Sequence, residues 1–180
     1  LRCPRADAET ATLAVRVVLD SDEPRPVGLR TWVTPVPADE SDPGGASGDL
    51  EQSEALIESA VAVVERDHPL AGGENRIEFT VPIHDPRLWW PRALGDQPLY
   101  DVVVEVVVDD VVSDEHRWRT GLREVRLDRF VTTVNGERLF LKGICVGPTR
   151  ELLAEADPAE VAADIDLAVG AGLDLVRVHG

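Results

Sequence analysis

The sequence predicts a mainly β protein: an immunoglobulin-like antiparallel β-sandwich, followed by a hairpin and the first elements of an α/β domain. Two observations predict the sandwich. About seven short apolar segments recur at regular spacing over roughly 130 residues, and turn-forming residues separate them. A third observation predicts the change of architecture. After residue 128, an Asn-Gly turn is followed by a well-capped helix and an apolar run.

Alternation of apolar and polar residues identifies the strands of the sandwich, because successive side chains of a strand point to opposite faces. The segment predicted as the third strand, residues 55–66, has mixed signals, because its glutamates favour helix and its valines favour strand. One face of the fifth strand carries Asp101, Glu105 and Asp109, so we expect that face to be partly wet. The predicted strands are residues 11–20, 27–36, 55–66, 75–83, 99–109, 111–119 and 122–127.

Two sequence features predict connections between these strands. Residues 38–48 are rich in Asp, Glu, Pro, Gly and Ser, which predicts a solvated surface loop. Asp109 and Asp110 predict a tight turn between the fifth and sixth strands, and a solvated turn is a better interpretation of them than a Ca²⁺ site.

The segment after residue 128 begins with a hairpin of strands 130–134 and 138–142. Asn135-Gly136 lies between them, and these residue types supply the positive φ angles of a type I′ turn. We therefore predict that the two strands pair directly.

A helix follows the hairpin. Asp157 is the predicted N-cap, Pro158 opens the first turn and Glu160 completes the capping pattern. Gly170 and Gly172 end the helix, and the apolar run 173–178 predicts a buried strand. A helix that leads into an apolar strand is typical of the start of a parallel α/β domain.

Composition excludes several classes of function. The charge sum is 18 − 34 = −16 and the pI is near 4.5, so nucleic acid and anionic membranes are poor partners. The two cysteines form no disulfide framework and the four histidines have no metal-ligand spacing, so we predict no metal and no cofactor. Lys142 is the only lysine, which fits either a high-salt habitat or a genome that favours arginine.

Four motifs in the second half carry a resemblance. They are LWWP at 88–91 with GDQPLY at 95–100, TGLR at 120–123, VNGERLFLKG at 134–143 and LDLVRVH at 173–179. Together they resemble glycoside hydrolase family 2, the β-galactosidase, β-glucuronidase and β-mannosidase group. The resemblance covers about residues 75–180. The sequence departs from the family pattern at Leu122, Cys145 and His179, and the last two departures bear on the identity of the sugar.

The resemblance implies a division into three parts: a sandwich of residues 1–128, a hairpin and linker of residues 129–156, and the first elements of a truncated (β/α)8 barrel in residues 157–180. The sequence contains no Met, and we expect it to be a piece of a longer protein. The family hydrolyses glycosides with two carboxyl groups, and the resemblance places both glutamates beyond Gly180. We therefore expect this piece to have no catalytic residue.

The resemblance also implies which residues border the sugar. Arg177 and His179 lie at the carboxyl end of a barrel strand, where barrel active sites form, so both are predicted substrate-binding residues. Arg177 could instead form a structural ion pair. Trp89 and Trp90 are predicted structural anchors rather than a sugar platform, and Cys145 a small buried residue.

The implied partners are a carbohydrate substrate, through the full-length protein, and the N-terminal sugar-binding domain and barrel of the same protein. Two alternatives stay open at this point. One is a free-standing immunoglobulin-like module that binds a glycan or a protein, although residues 129–180 are unnecessary for such a module. The other is a family member that has lost catalysis and only binds glycans.

Overall fold

The computed structural model describes residues 1–37, 58–147 and 157–178. Contacts divide the chain into two compact units, Leu1–Trp89 with Gln97–Glu124, and Trp90–Asp96 with Val125–Gly180. The predicted division at residues 128 and 156 stays a prediction about domains. No helix in the described part of the chain is both long and apolar enough to cross a membrane.

In its described residues, the first unit contains seven strands in two antiparallel sheets. One sheet has the order β1-β2-β5 and the other β4-β3-β6-β7, which confirms the predicted sandwich of immunoglobulin-like type. The strands are β1 Arg2–Ala6, β2 Thr10–Ser21, β3 Arg25–Pro35, β4 Ala62–Leu70, β5 Gly73–His84, β6 Tyr100–Val108 and β7 Val111–Thr120.

The core of the first unit lies between the two sheets. Its members are the alternate apolar residues of the long strands, as the period of two predicts. Side chains that are buried there include Leu13, Val15, Leu29, Val33, Phe79, Val81, Ile83, Val102, Val104 and Leu122. Asp109 and Asp110 both have positive φ angles, of 50° and 64°, which confirms the predicted turn between β6 and β7.

Strand β6 is buried on both faces, so the expectation of a wet face was wrong. Asp101 is 5% exposed and Glu105 is 6% exposed. The reason is that β6 lies between β3 and β7, whose larger side chains cover its outer face. Trp32 of β3 lies across from Val103, and the guanidinium groups of Arg117 and Arg119 on β7 close over Asp101.

Glu105 has a less favourable environment than Asp101. Burial raises the pKa of its carboxyl group, and the negative charge of Glu115 raises it further, while Arg30 acts against both. Arg30 and Glu115 are the residues directly across from Glu105 on the two neighbouring strands. The charge of Arg30 is shared, because its guanidinium group also lies 3.7 Å from the Glu65 carboxylate. The ionised form of Glu105 therefore destabilises the folded protein.

We expect Glu105→Gln to stabilise the protein at neutral pH by about 1 kcal/mol, because it removes a poorly compensated buried charge. Since the pKa of Glu105 is higher in the folded state, the wild-type protein loses stability as the pH rises through the pKa of this group. The advantage of the variant should therefore vanish in acid. Thermal unfolding across pH measures it, with the exposed Glu9→Gln as the control. An equal gain at acid and neutral pH would contradict the electrostatic explanation.

Within residues 1–128, three strands differ from the predictions by more than two residues. Strand β1 was not predicted, because Pro4 and the arginines hide its alternation. Strand β4 begins at Ala62 instead of near residue 55, and the predicted strand 122–127 is replaced by a later and shorter strand, β8, at Val125–Asp128. The predicted loop at residues 38–48 lies outside the described residues.

Two small sheets lie in the described part of the second unit. The antiparallel sheet has the order β10-β9-β8, with β9 at Val131–Val134 and β10 at Glu137–Leu139. Asn135 and Gly136 have φ angles of 50° and 85°, which confirms the predicted turn. The β8–β9 turn repeats this backbone with unsuitable residue types, Arg129 at 45° and Phe130 at 68°.

The other sheet of the second unit is a parallel pair, β11 Gly143–Val146 and β12 Leu175–Val178. Helix α1, Pro158–Gly170, lies between the two strands in the sequence. Strand β11 was not predicted, so the run that we took for the first parallel strand is the second of a β–α–β unit.

The caps of α1 follow the prediction. The Asp157 side chain accepts a hydrogen bond from the Ala159 amide at 2.9 Å, and Gly172 has a φ angle of 66° just beyond the last turn. The predicted burial of the strand was wrong, because no residue of β12 is buried and Val178 is 75% exposed. No residue of α1 is buried either. Two strands and one helix have too little surface in common to cover their apolar faces.

Candidate functional site

The candidate site is the carboxyl edge of the parallel pair, where β11 and β12 end side by side. The register places Cys145 across from Arg177, and Val146 across from Val178. Cys145 and Arg177 therefore project from neighbouring positions on one face of the pair. In open and closed parallel sheets, ligands bind at the carboxyl ends of the strands.

The opposite end of the pair carries the contacts that set this register. The Asp174 amide donates to the Lys142 carbonyl oxygen at 2.7 Å. The Asp174 carboxylate lies 3.5 Å from Lys142 Nζ and also accepts from the Lys142 amide at 3.3 Å. The Asp174 side chain is only 8% exposed. The only lysine in the sequence thus helps to align the two strands, which in turn brings Arg177 beside Cys145.

Gly143 allows the close approach of the two strands. A Cβ atom at this position would lie 3.2 Å from both the Cβ and the carbonyl oxygen of Leu175. A larger residue would push β12 away from β11 at the first pair of the register. Gly143 and the Lys142–Asp174 contacts are therefore positioning features of the site.

The side chains at this edge can donate hydrogen bonds to a ligand. Arg177 is exposed, and its planar guanidinium group can donate paired hydrogen bonds to a carboxylate or to sugar hydroxyl groups. Neither β11 nor β12 contains an acidic residue, so the pair offers no carboxyl group for acid–base chemistry. Cys145 is exposed, which corrects the expectation that it is buried. The predicted site residue His179 lies outside the described residues.

Trp89 is a structural residue of the first unit. Its amide donates to the Leu122 carbonyl oxygen at 2.9 Å, and the Arg123 guanidinium carbon lies 4.5 Å from the centre of its ring. Gly121 is in contact with the indole, because a Cβ atom there would lie 2.5 Å from the Trp89 ring. The LWWP and TGLR motifs thus pack against one another, and one face of the Trp89 ring is occupied by arginine.

Trp90 has its own neighbours in the second unit. Its amide donates to the Asp96 carbonyl oxygen at 2.9 Å, and Gly95 lies against its side chain. In residues 1–37, 58–147 and 157–178, no group of three or more His, Cys, Asp and Glu side chains is arranged to hold a metal ion.

Sequence reasoning predicted that Arg177 ends a strand but did not predict β11, the strand that lies beside it. β11 has four residues, too few to show a period, and its burial is slight. A weak signal was present, since Ile144 and Val146 alternate directly after the Lys142-Gly143 pair.

The fold and the edge define a protein in which an immunoglobulin-like sandwich is followed by a parallel β–α–β unit. The family profile described as "Glycosyl hydrolases family 2" matches residues 4–123, about two thirds of the chain. The chain therefore belongs to glycosyl hydrolases family 2, a family of glycosidases. This confirms the resemblance that the motifs indicated.

Curated relatives match parts of the chain. An exo-β-D-glucosaminidase of Hypocrea virens is 40% identical over 75 residues, which are 41% of this chain and 8% of that protein. A β-mannosidase B of Emericella nidulans is 28% identical over 114 residues, 59% of this chain and 14% of that protein. The chain therefore spans a small fraction of the length of the relatives that it matches.

Solved structures share the fold over almost the whole chain. A family 2 member from Bacteroides cellulosilyticus has a TM-score of 0.75 at 23% identity, and covers 98% of this chain and 20% of that one. A β-D-mannosidase from Dictyoglomus thermophilum has a TM-score of 0.71 at 21% identity, again over 98% of this chain and 20% of that one.

Proposed function

We propose that this chain is the non-catalytic sandwich of a glycoside hydrolase, together with the first β–α–β unit of its barrel. The parent protein would hydrolyse O-glycosidic bonds of β-mannosides or of related β-galactosides and β-glucosaminides. Its N-terminal sugar-binding domain and the rest of its barrel would contact this piece within the same molecule. No cofactor takes part in this proposal.

The parallel register of β11 and β12 is the observation that supports the proposal best. It puts Arg177 beside a second strand end, which is where a barrel binds its substrate. The family membership supplies the class of reaction, and the curated relatives act on glucosaminides and mannosides by their names.

In this proposal the chain binds and positions the sugar but does not cleave it. Retaining glycosidases need one carboxyl group as acid and base and a second as nucleophile, about 5–5.5 Å apart. Both would come from later barrel strands of the parent. Arg177 would donate hydrogen bonds to the sugar from its place on β12, and His179 would border the same pocket. The isolated chain is therefore expected to be inactive.

We expect Arg177→Ala in the full-length parent to lower kcat/KM by about 50-fold, because charge-assisted hydrogen bonds to the sugar are lost. Arg177→Lys should recover part of the activity, since it keeps the charge but not the planar fork. Hydrolysis of aryl β-mannosides, β-galactosides, β-glucuronides and β-glucosaminides measures the effect. The matched control is Arg138→Ala, an exposed arginine on β10. An unchanged kcat/KM in Arg177→Ala would contradict the proposal that Arg177 binds the substrate.

The same assay separates the main proposal from the alternatives. An active parent beside an inactive 180-residue chain supports the non-catalytic role and identifies the sugar. A parent that hydrolyses no glycoside would favour a glycan- or protein-binding module. That alternative has one observation in its favour, because Phe130 and Phe140 are 99% and 87% exposed, and exposed aromatic side chains are common in binding surfaces.

A further inference from the structure

A polar contact joins the amino ends of the two parallel strands. Lys142 and Asp174 are the residues directly before β11 and β12. The Lys142 carbonyl oxygen accepts from the Asp174 amide at 2.7 Å and from the Leu175 amide at 3.2 Å. In the other direction, Oδ2 of the Asp174 carboxylate accepts from the Lys142 amide at 3.3 Å and lies 3.5 Å from Lys142 Nζ. The amide, the carbonyl oxygen and the ammonium group of Lys142 therefore all contact residues 174–175.

The Asp174 side chain is buried in this contact, although that of its partner is not. It is 8% exposed, whereas the Lys142 side chain is 52% exposed. A buried carboxylate destabilises a fold unless it is paired and hydrogen-bonded. A shift of β12 along β11 would leave the Asp174 carboxylate without its amide and ammonium partners. The observed register is therefore the one in which this buried charge is compensated.

The apolar residues of the two strands do not select the register by themselves. Ile144 and Val146 lie on one face of β11, and Val176 and Val178 lie across from them on β12. A shift of β12 by two residues keeps every side chain on its own face. It also leaves apolar residues opposite each other, with Ile144 across from Val178 in one direction of the shift. The polar contact at the amino ends does distinguish these registers, because either shift separates its two residues.

The register decides where Arg177 lies. In the observed register Arg177 is across from Cys145, at the edge where barrels bind their substrates. Each residue of a parallel strand advances by about 3.3 Å, so a two-residue shift would move Arg177 by about 7 Å along β11. Hydrogen bonds form over a donor–acceptor range of only about 0.5 Å. A guanidinium group displaced by a two-residue shift would therefore no longer reach the same atoms of a ligand.

We propose that Asp174 is a positioning residue for Arg177. The Asp174 carboxylate binds Lys142, this contact fixes the register of β11 and β12, and the register places the Arg177 guanidinium at the substrate edge. The register is argued from contacts within the strand pair, whereas the sugar as the ligand of Arg177 depends on the proposed function. The tests therefore use one readout of the register and a separate readout of substrate binding.

A disulfide measures the register without any substrate. Neighbouring strands lie about 4.8 Å apart, so Arg177→Cys puts a second thiol beside Cys145, within the Cα–Cα range of about 4.4–6.8 Å that a disulfide spans. After a two-residue shift the two Cα atoms would be about 8 Å apart, which is too far. We expect oxidised Arg177→Cys in the full-length parent to form this disulfide, and we expect Asp174→Ala to lower its yield about fivefold or more. Mass spectrometry of proteolytic peptides measures the yield.

The kinetic test is a double-mutant cycle in the full-length parent. Asp174→Ala should lower kcat/KM about tenfold, less than Arg177→Ala does, because it displaces the guanidinium in only part of the molecules. In an Arg177→Ala background the same change should cost less than about twofold, since no guanidinium is left to position. A merely structural residue would give equal losses in the two backgrounds. The matched control is Asp164→Ala, an exposed aspartate of α1, which should leave kcat/KM unchanged.

Two results would overturn the proposal: a disulfide yield that Asp174→Ala leaves unchanged, or equal losses of kcat/KM in the two backgrounds. Failure of Arg177→Cys alone to form the disulfide would contradict the register and the proposal with it. If the parent hydrolyses no glycoside, or if Arg177→Ala leaves kcat/KM unchanged, the proposed function fails, and the disulfide still decides whether Asp174 sets the register.

A milder variant covers the case in which Asp174→Ala does not fold, as judged by thermal unfolding. Asp174→Asn keeps an oxygen that can accept from the Lys142 amide but loses the ion pair. It should lower the disulfide yield and kcat/KM about threefold each, and an unchanged disulfide yield in this variant would contradict the proposal as well.

Discussion

Asp101→Ala is expected to destabilise the protein by about 4 kcal/mol, because it removes the buried carboxylate that Arg117 and Arg119 share. The Asp101 carboxylate accepts from Arg117 Nη2 at 2.6 Å and from Arg119 Nε at 3.0 Å and Nη2 at 3.1 Å. The Asp101 side chain is 6% exposed, and those of both arginines less than a quarter. Urea unfolding at neutral pH measures the loss.

The control for this variant is a solvent-exposed ion pair on the protein surface. Glu74→Ala breaks the pair between Glu74 and Arg76, which are 2.8 Å apart and both well exposed, and should cost less than about 1 kcal/mol. A similar loss of stability in the two variants would show that burial of Asp101 does not strengthen its contribution to the free energy of unfolding.

The pH dependence of Asp101 gives a second signature. Burial raises the pKa of this carboxyl group, but the hydrogen bonds from Arg119 and Arg117 outweigh it and hold the pKa below the usual range. The unfolded chain therefore binds the proton more readily than the folded protein does. The stabilisation is present above the ordinary aspartate pKa and is lost as the pH falls through the folded-state pKa. The difference between wild type and Asp101→Asn should shrink in acid, as for Glu105→Gln, but its sign at neutral pH is opposite: Asp101→Asn is less stable than the wild type, whereas Glu105→Gln is more stable.

Gly121→Ala is expected to cost about 3 kcal/mol, since its methyl group has no space. The added Cβ would lie 2.5 Å from Cγ and Cδ1 of Trp89, and the indole cannot withdraw freely because the Trp89 amide is bonded to Leu122 and Arg123 lies over the ring. Thermal unfolding of the chain measures the effect.

Two further variants isolate the cause. Gly147→Ala adds the same methyl group in open space and should change the stability by no more than about 0.5 kcal/mol. In a Trp89→Leu background, Gly121→Ala should cost much less than in the wild type, because the atoms that it meets are gone. An equal loss of stability in the two backgrounds would show that the Trp89–Gly121 contact is not the cause.

Local periodicity predicted the strands of the sandwich, but not what covers them. The alternation of Asp101 and Glu105 with valines is the pattern of a strand with one wet face. Burial of Asp101 depends on Arg117 and Arg119, which lie 16 and 18 positions further along the chain. The alternation within one strand does not reveal which residues of a distant strand lie beside it, so this pairing could not be predicted before the register was known.

At the candidate site too, the sequence predicted the local features but not the long-range contacts. The caps of α1 and the turn at Asn135-Gly136 are local, and both were predicted. The neighbour of Arg177 is Cys145, 32 positions away, and a four-residue strand gave too little pattern to reveal it. The substrate-binding roles of Arg177 and His179 stay predictions, since they depend on the family resemblance and on the position of β12.

The antiparallel arrangement of the first unit has a consequence for the rate of folding. Its central pairs join distant parts of the chain: Arg16 meets Glu78 across 62 positions, and Gly28 meets Val107 across 79. The β8–β9–β10 meander joins immediate neighbours. Since chains rich in long-range contacts fold in about milliseconds to seconds, the meander should form early and the sandwich late. During that interval the valine-rich β6 is unpaired, so folding at high protein concentration exposes this strand to aggregation.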